Sequence, residues 1–235
     1  MSVITFAHRG ARKEEPENSL AAFRRALELG ASGLETDVRL SADGEIVCTH
    51  DATVRSGLRR YRVGATSASA LGEIGVPRLA DVYEQLGTHY ELSVDVKETA
   101  AALGLLEVAR RHDALPRLWV CSPSLAELVE LRGEERVKLV HSTSKRAIGG
   151  PLERHANDLA NERIDAINLH YTEWTAGLVS LFHRFGIRCF AWDTQEARHI
   201  RAVLRMDIDA VYCDRPDRMV AVVGEWSELQ DPDSR

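Results

Sequence analysis

Glu35 and Asp37 stand one residue apart in GLETDV (33–38), a run otherwise suited to a buried strand. Side chains on a strand alternate faces, so both carboxylates share one face while Leu34, Thr36 and Val38 share the other. Two like charges buried together are unfavourable unless a cation, a proton or basic side chains neutralise them. LSVDVKE repeats the device, with Asp95 and Lys97 on one face. Three carboxylates from two strands form an all-oxygen ligand set suited to a hard divalent cation, Ca2+ or Mg2+, with Mn2+ also compatible. The competing reading is structural, with Arg or Lys neutralising the acids, as a Lys97–Asp95 ion pair would. His8 closes VITFAH (3–8) and His50 closes EIVCTH (45–50), and imidazole can take or give a proton near neutral pH. With Arg9 and Lys97 beside them, the group suits an anionic phosphate ester. A metal would hold a non-bridging oxygen while the cations offset developing negative charge.

These residues need a frame that brings strand ends together. Brief apolar, β-branched runs recur along the chain: 3–8, 33–38, 45–50, 91–97, 117–122, 137–142, 166–170, 188–193 and 209–214. Amphipathic stretches separate them. NSLAAFRRALELG (18–30) has Asn18 or Ser19 as N-cap and Gly30 as its stop, and SLAELVELRG (124–133) has Ser124 and Glu127 at capping-box spacing. Stretches 173–186 and 194–205 read the same way. With 45–50 set aside, eight strands each followed by a helix predict a single-domain TIM (β/α)8 barrel rather than an open doubly wound sheet. Segment 51–75 reads as a short insertion after the second strand, carrying little structure, and 227–235 as a polar, fraying tail. Barrel active sites form at strand C-terminal ends, where His8 and His50 fall.

The formal net charge of −6 over 235 residues argues against nucleic acid or an anionic membrane as the main partner but says nothing about a local basic pocket. MSVITFAHRG is too short for a signal-peptide core and no run approaches membrane-spanning length, so a cytoplasmic location without integral membrane association is expected. Cys48, Cys121, Cys189 and Cys213 lack CxxC spacing and lie in or beside apolar runs, which predicts buried small hydrophobes rather than a zinc cluster.

In order along the chain, AHRG, PENS, GLETDVRLSADGEIVCTHD, VPRLADVYEQL and LSVDVK resemble the glycerophosphodiester phosphodiesterase family, whose usual order is HRG, PENT, ExDVxxTxDG, HD, PTLxE and ExK. FAWDT and DAVYCDRPDRM resemble its late segments, so the likeness spans essentially the whole chain. It implies a TIM-type barrel that hydrolyses glycerophosphodiesters to glycerol phosphate and an alcohol with a divalent cation. By position, Glu35, Asp37 and Asp95 would hold the metal. His8 would be the base and His50 the acid for the leaving alcohol, with Arg9 and Lys97 on the phosphate and Glu17 of PENS nearby. Asp95 stands where the family usually has Glu, and Ser19 where it has Thr. Aspartate at that place is also seen in sphingomyelinase-D-like phospholipases, which with the short insertion keeps a lysophospholipid substrate open. A non-catalytic barrel that binds a phosphoester is the third reading. Trp192, closing the seventh strand, is placed to pack on the alcohol or in the core. His141 and His170 also end strands and are candidates to line the pocket.

Overall fold

In the computed structural model, which describes residues 2–230, eight parallel strands close into a (β/α)8 barrel. The strands in chain order are β1 (Ile4–His8), β2 (Gly33–Leu40), β3 (Ile46–Cys48), β4 (Thr53–Ser56), β5 (Arg59–Arg62), β6 (Glu91–Val96), β7 (Leu118–Ser122), β8 (Lys138–Ser142), β9 (Ala166–His170), β10 (Arg188–Trp192) and β11 (Ala210–Cys213). Barrel order runs β2, β6, β7, β8, β9, β10, β11, β1, and β1 pairs back onto β2. The short β3 lies outside the ring, antiparallel to the far end of β2 through Val38 and Cys48.

Two-residue periodicity explains both faces of this wall. One set of positions, including Phe6, Trp119, Phe190 and Tyr212, fills the barrel interior. Phe6 stacks on Tyr212 at 4.8 Å between ring centres, and Trp119 meets Phe190 edge-on at 5.1 Å. The alternate set, including Leu34, Leu92, Val94, Leu139 and Val211, packs outward on the helices in one continuous core. Advancing two residues from Phe6 reaches His8, and two from Ser93 reaches Asp95. The interior positions thus turn polar toward one end of the barrel, where chemistry collects.

The helices begin where hydroxyl caps start them. Ser19 caps Leu20–Glu28, Ser124 caps Leu125–Glu130 and Thr175 caps Ala176–Arg184, each accepting a backbone N–H three residues on. Thr99–Arg111 and Leu152–Asn161 fill two further crossovers. All four cysteines are buried and unpaired, and burial pushes the Cys48 thiol up to about 12. None of the described helices is long and apolar enough to cross a membrane.

Three expectations require correction. Segment 51–75 is structured: it holds the β4–β5 hairpin, a 3-10 turn at Val63–Ala65 and a short helix at Ala68–Gly72. Its apolar residues come one or two per element, so no period shows in the sequence. They gain partners only in the fold, where Val63, Ala68 and Leu71 close with Val76 around Val47. The run 45–50 shrinks to β3, which ends at Cys48, leaving His50 in the turn beyond it. The final helix, Pro216–Gln230, continues through 227–230 because Val222, Val223 and Met219 anchor it, while 231–235 lie outside the described residues.

His141, at the end of β8, faces away from the barrel axis. Its Nδ1 lies 3.1 Å from His155 Nε2, and its Nε2 lies 3.2 Å from the Pro123 carbonyl. Burial and the neighbouring His155 push His141 down to about 4, and burial lowers His155 as well. The folded pair stays neutral while the unfolded chain gains protons below about pH 6.5, so stability is lost as pH falls from about 6.5 toward 4. His141→Gln should therefore shrink the difference in urea unfolding free energy between pH 7 and pH 4.5 by about 2 kcal/mol. An unchanged difference would contradict a neutral pair.

Candidate active site

The turn after β1 shapes one side of the site. Arg9 and Gly10 adopt φ of 55° and 78°, which swings the chain sharply over the strand end. Gly10 is required there, since a Cβ would meet the Ala22 backbone at 2.6 Å. The turn aims the Arg9 backbone N–H at Glu35 Oε2, 2.9 Å away, and brings Arg9 Nε to 3.0 Å from Asp37 Oδ2. Asn18, also at positive φ (55°), donates to Asp37 Oδ2 at 3.2 Å and accepts from the Thr36 hydroxyl at 2.8 Å.

Glu35 and Asp37 are buried on β2, and Asp95 pairs in register with Asp37 across β2–β6. One oxygen from each of the three carboxylates lies within 4.8 Å of the others. Lys97 Nζ sits 2.8 Å from Asp37 and 3.2 Å from Asp95, so the anticipated ion pair forms, but one amine serves two acids. Burial, then the charges of Asp37 and Asp95, push Glu35 up to about 8, against the lowering effect of His8. Burial also opposes ionisation of Asp37, yet Lys97, Arg9 and Asn18 outweigh it and hold that carboxyl below its usual range. Two basic side chains thus leave three acids incompletely neutralised. A second sign of incomplete pairing is Arg9 Nε, which is buried and makes no aligned hydrogen bond despite its nearness to Asp37. An all-oxygen cluster with unbalanced negative charge fits a hard divalent cation.

His8 closes β1 beside this cluster. Its Nδ1 is 2.7 Å from Asp214 Oδ1 and its Nε2 3.8 Å from Glu35 Oε2. Burial lowers its basicity, but Glu35 and Asp214 more than offset that and raise it above the ordinary imidazole value. Asp214 itself is driven down to about 2, with His8, Arg12 and Lys13 outweighing its burial. His50 is more open, its Nδ1 2.8 Å from Asp51 Oδ1.

His8, Arg9, Glu35, Asp37, His50, Asp95 and Lys97 all border one cavity of about 520 Å3. Pro123 beyond β7, Ala147 beyond β8 and Trp192 on β10, across the barrel from β6, give it apolar surface. Trp192 therefore lines the cavity and stays 42% exposed rather than joining the core. Glu17 does not border the cavity; it holds Arg9 Nη1 at 2.9 Å and Arg12 Nη2 at 2.5 Å from the preceding loop. His141 and His170 also stand off it, the first turned to His155 and the second bound to Asp193 at 3.1 Å. Sequence reasoning passed over Asp214, Asn18 and Asn168. Asp214 was detectable by the strand-end rule that picked out His8, since it directly follows β11. Asn168 carried no such signal; its buried Oδ1 accepts no hydrogen bond and the residue borders the cavity.

Residues 8–218 match the sequence profile of the glycerophosphoryl diester phosphodiesterase family. A glycerophosphodiester phosphodiesterase of Caldanaerobacter subterraneus subsp. tengcongensis is 24% identical, the alignment covering 95% of this chain and 98% of that protein. The crystal structure of a glycerophosphodiester phosphodiesterase from Thermotoga maritima superposes with a TM-score of 0.83 at 27% identity, covering 94% of this chain and 99% of the other. An Oleispira antarctica phosphodiesterase, solved with its product sn-glycerol-3-phosphate, shares the fold with a TM-score of 0.79 at 21% identity, over 94% and 96% of the two chains.

Proposed function

The chain belongs to the glycerophosphoryl diester phosphodiesterase family, and we propose that it hydrolyses glycerophosphodiesters to glycerol 3-phosphate and an alcohol at this barrel mouth. The observation that carries the reading is the meeting of Glu35, Asp37 and Asp95 within 4.8 Å on a cavity that both His8 and His50 border. A divalent cation held by those three carboxylates would polarise a non-bridging phosphate oxygen. Arg9 and Lys97 supply fixed positive charge to the phosphate, and Glu17 keeps Arg9 in place from behind.

Asp214 holds His8 by Nδ1, which fixes the tautomer and leaves Nε2 toward the cavity to take a proton from the attacking water, or from the substrate's neighbouring hydroxyl with water then opening the cyclic phosphate. His50, oriented by Asp51, donates a proton to the departing alkoxide. Trp192 with Pro123 and Ala147 gives the alcohol an apolar surface. Purified protein stripped of metal and then supplied with Ca2+, Mg2+ or Mn2+ should release glycerol 3-phosphate from glycerophosphocholine only when a cation is present. Folded, metal-loaded protein that turns over no glycerophosphodiester would overturn the reading.

A further inference from the structure

Residues 52–72 contain four arginines, Arg55, Arg59, Arg60 and Arg62, and no acidic residue, in a chain whose net charge is −6. All four lie on the β4–β5 hairpin and are exposed, and none has an ion-pair partner among the described residues. Arg55 pairs directly with Arg60 across the hairpin, an arrangement of like charges that disfavours the strand pair. Arg55, Arg60 and Arg62 share one face. Val54 and Tyr61 occupy the other, with Arg59 beside the tip, and pack on the small core around Val47, so the hairpin is fastened at its root. At its tip Leu58 is 105% exposed, fully in solvent. The hairpin starts three residues after His50, which borders the cavity, and its four-residue strands are each roughly 13 Å long.

A hairpin that carries uncompensated arginines on one face and at its tip, with an apolar point, is complementary to a surface that is anionic outside and apolar beneath. We propose that the β4–β5 hairpin docks on anionic phospholipid bilayers, its arginines meeting lipid phosphates while Leu58 enters the acyl boundary. Single-stranded nucleic acid is a poorer match, because Tyr61, the hairpin's one aromatic residue, faces the small core and offers no stacking platform. If the proposed activity holds, docking puts the cavity where deacylation of membrane glycerophospholipids releases glycerophosphodiesters.

Vesicle flotation tests this without reading catalysis, so its outcome is separable from that of the phosphodiesterase assay. Wild-type protein should float with phosphatidylcholine vesicles containing phosphatidylglycerol, not with phosphatidylcholine alone, and should be released by high salt. Replacing the four arginines with glutamine should weaken partitioning by at least about a hundredfold, and Leu58→Ser by a smaller factor. Both variants change only exposed positions, so turnover of soluble glycerophosphocholine should equal wild type. Equal binding to neutral and anionic vesicles, binding unaffected by arginine removal, or association with a soluble polyanion but with no vesicle would each overturn the proposal.

Discussion

His8→Gln is expected to lower kcat on glycerophosphocholine by about 10²- to 10⁴-fold, the range lost when a positioned proton-transfer group is removed. Glutamine retains a polar group of similar length near Asp214 but has no basic lone pair for the attacking nucleophile. Tm should change little, since the His8 side chain is partly open to the cavity. His50→Gln should show a comparable loss on the same substrate for a different reason, and leaving-group chemistry separates the two. If His50 protonates the departing alkoxide, a p-nitrophenyl diester, whose leaving group needs no protonation, should recover most of the His50→Gln activity and little of the His8→Gln activity. A His8→Gln enzyme within about fivefold of wild type would remove His8 from the chemistry, a loss well below the general-base range.

Metal removal carries the second largest expected effect. Chelation should bring turnover to background, and saturating cation should then raise Tm by about 5–10 °C, the shift for about 2.7 kcal/mol of binding linkage in a chain of this size. Glu35→Gln distinguishes a metal site from a salt-bridge cluster. Without cation, Glu35 is crowded by two other acids and buried, which is why it is pushed up to about 8. At neutral pH it is therefore mostly protonated in the metal-free fold, so glutamine, its neutral isostere, should leave the metal-free variant at least as stable as metal-free wild type. The cation-induced rise in Tm and the activity should both disappear. A purely structural cluster would behave in the opposite way, with Glu35→Gln destabilising and cation making no difference to either protein.

The barrel was legible because its strands are short, apolar and regularly spaced, and because the parallel register follows from right-handed crossovers. Glu35, Asp37 and Asp95 were legible for a local reason. Two-residue periodicity puts Glu35 with Asp37, and Asp95 with Lys97, on one face of each strand, and the apolar alternate residues mark the opposite face as the helix-facing one in a barrel. What escaped is what depends on partners distant in sequence. Asp214 contacts His8 across 206 residues, and only the closure of β11 on β1 brings them together. Glu17 was placed near the site by its motif, yet its distance from the cavity is set by the loop that turns through Gly10 and Asn18. The hairpin at 53–62 was missed because alternation there runs between arginine and half-buried Val54 or Tyr61, a weak apolar signal whose packing partner, Val47, lies on another strand.

Anomalous diffraction from crystals soaked in Mn2+ with glycerol 3-phosphate addresses the central claim most directly. One peak is expected within about 2.5 Å of oxygens from Glu35, Asp37 and Asp95, with the phosphate between it and His8. A fully active crystal form with no peak among those carboxylates, and Lys97 and Arg9 still bridging them, would contradict a metal-dependent site.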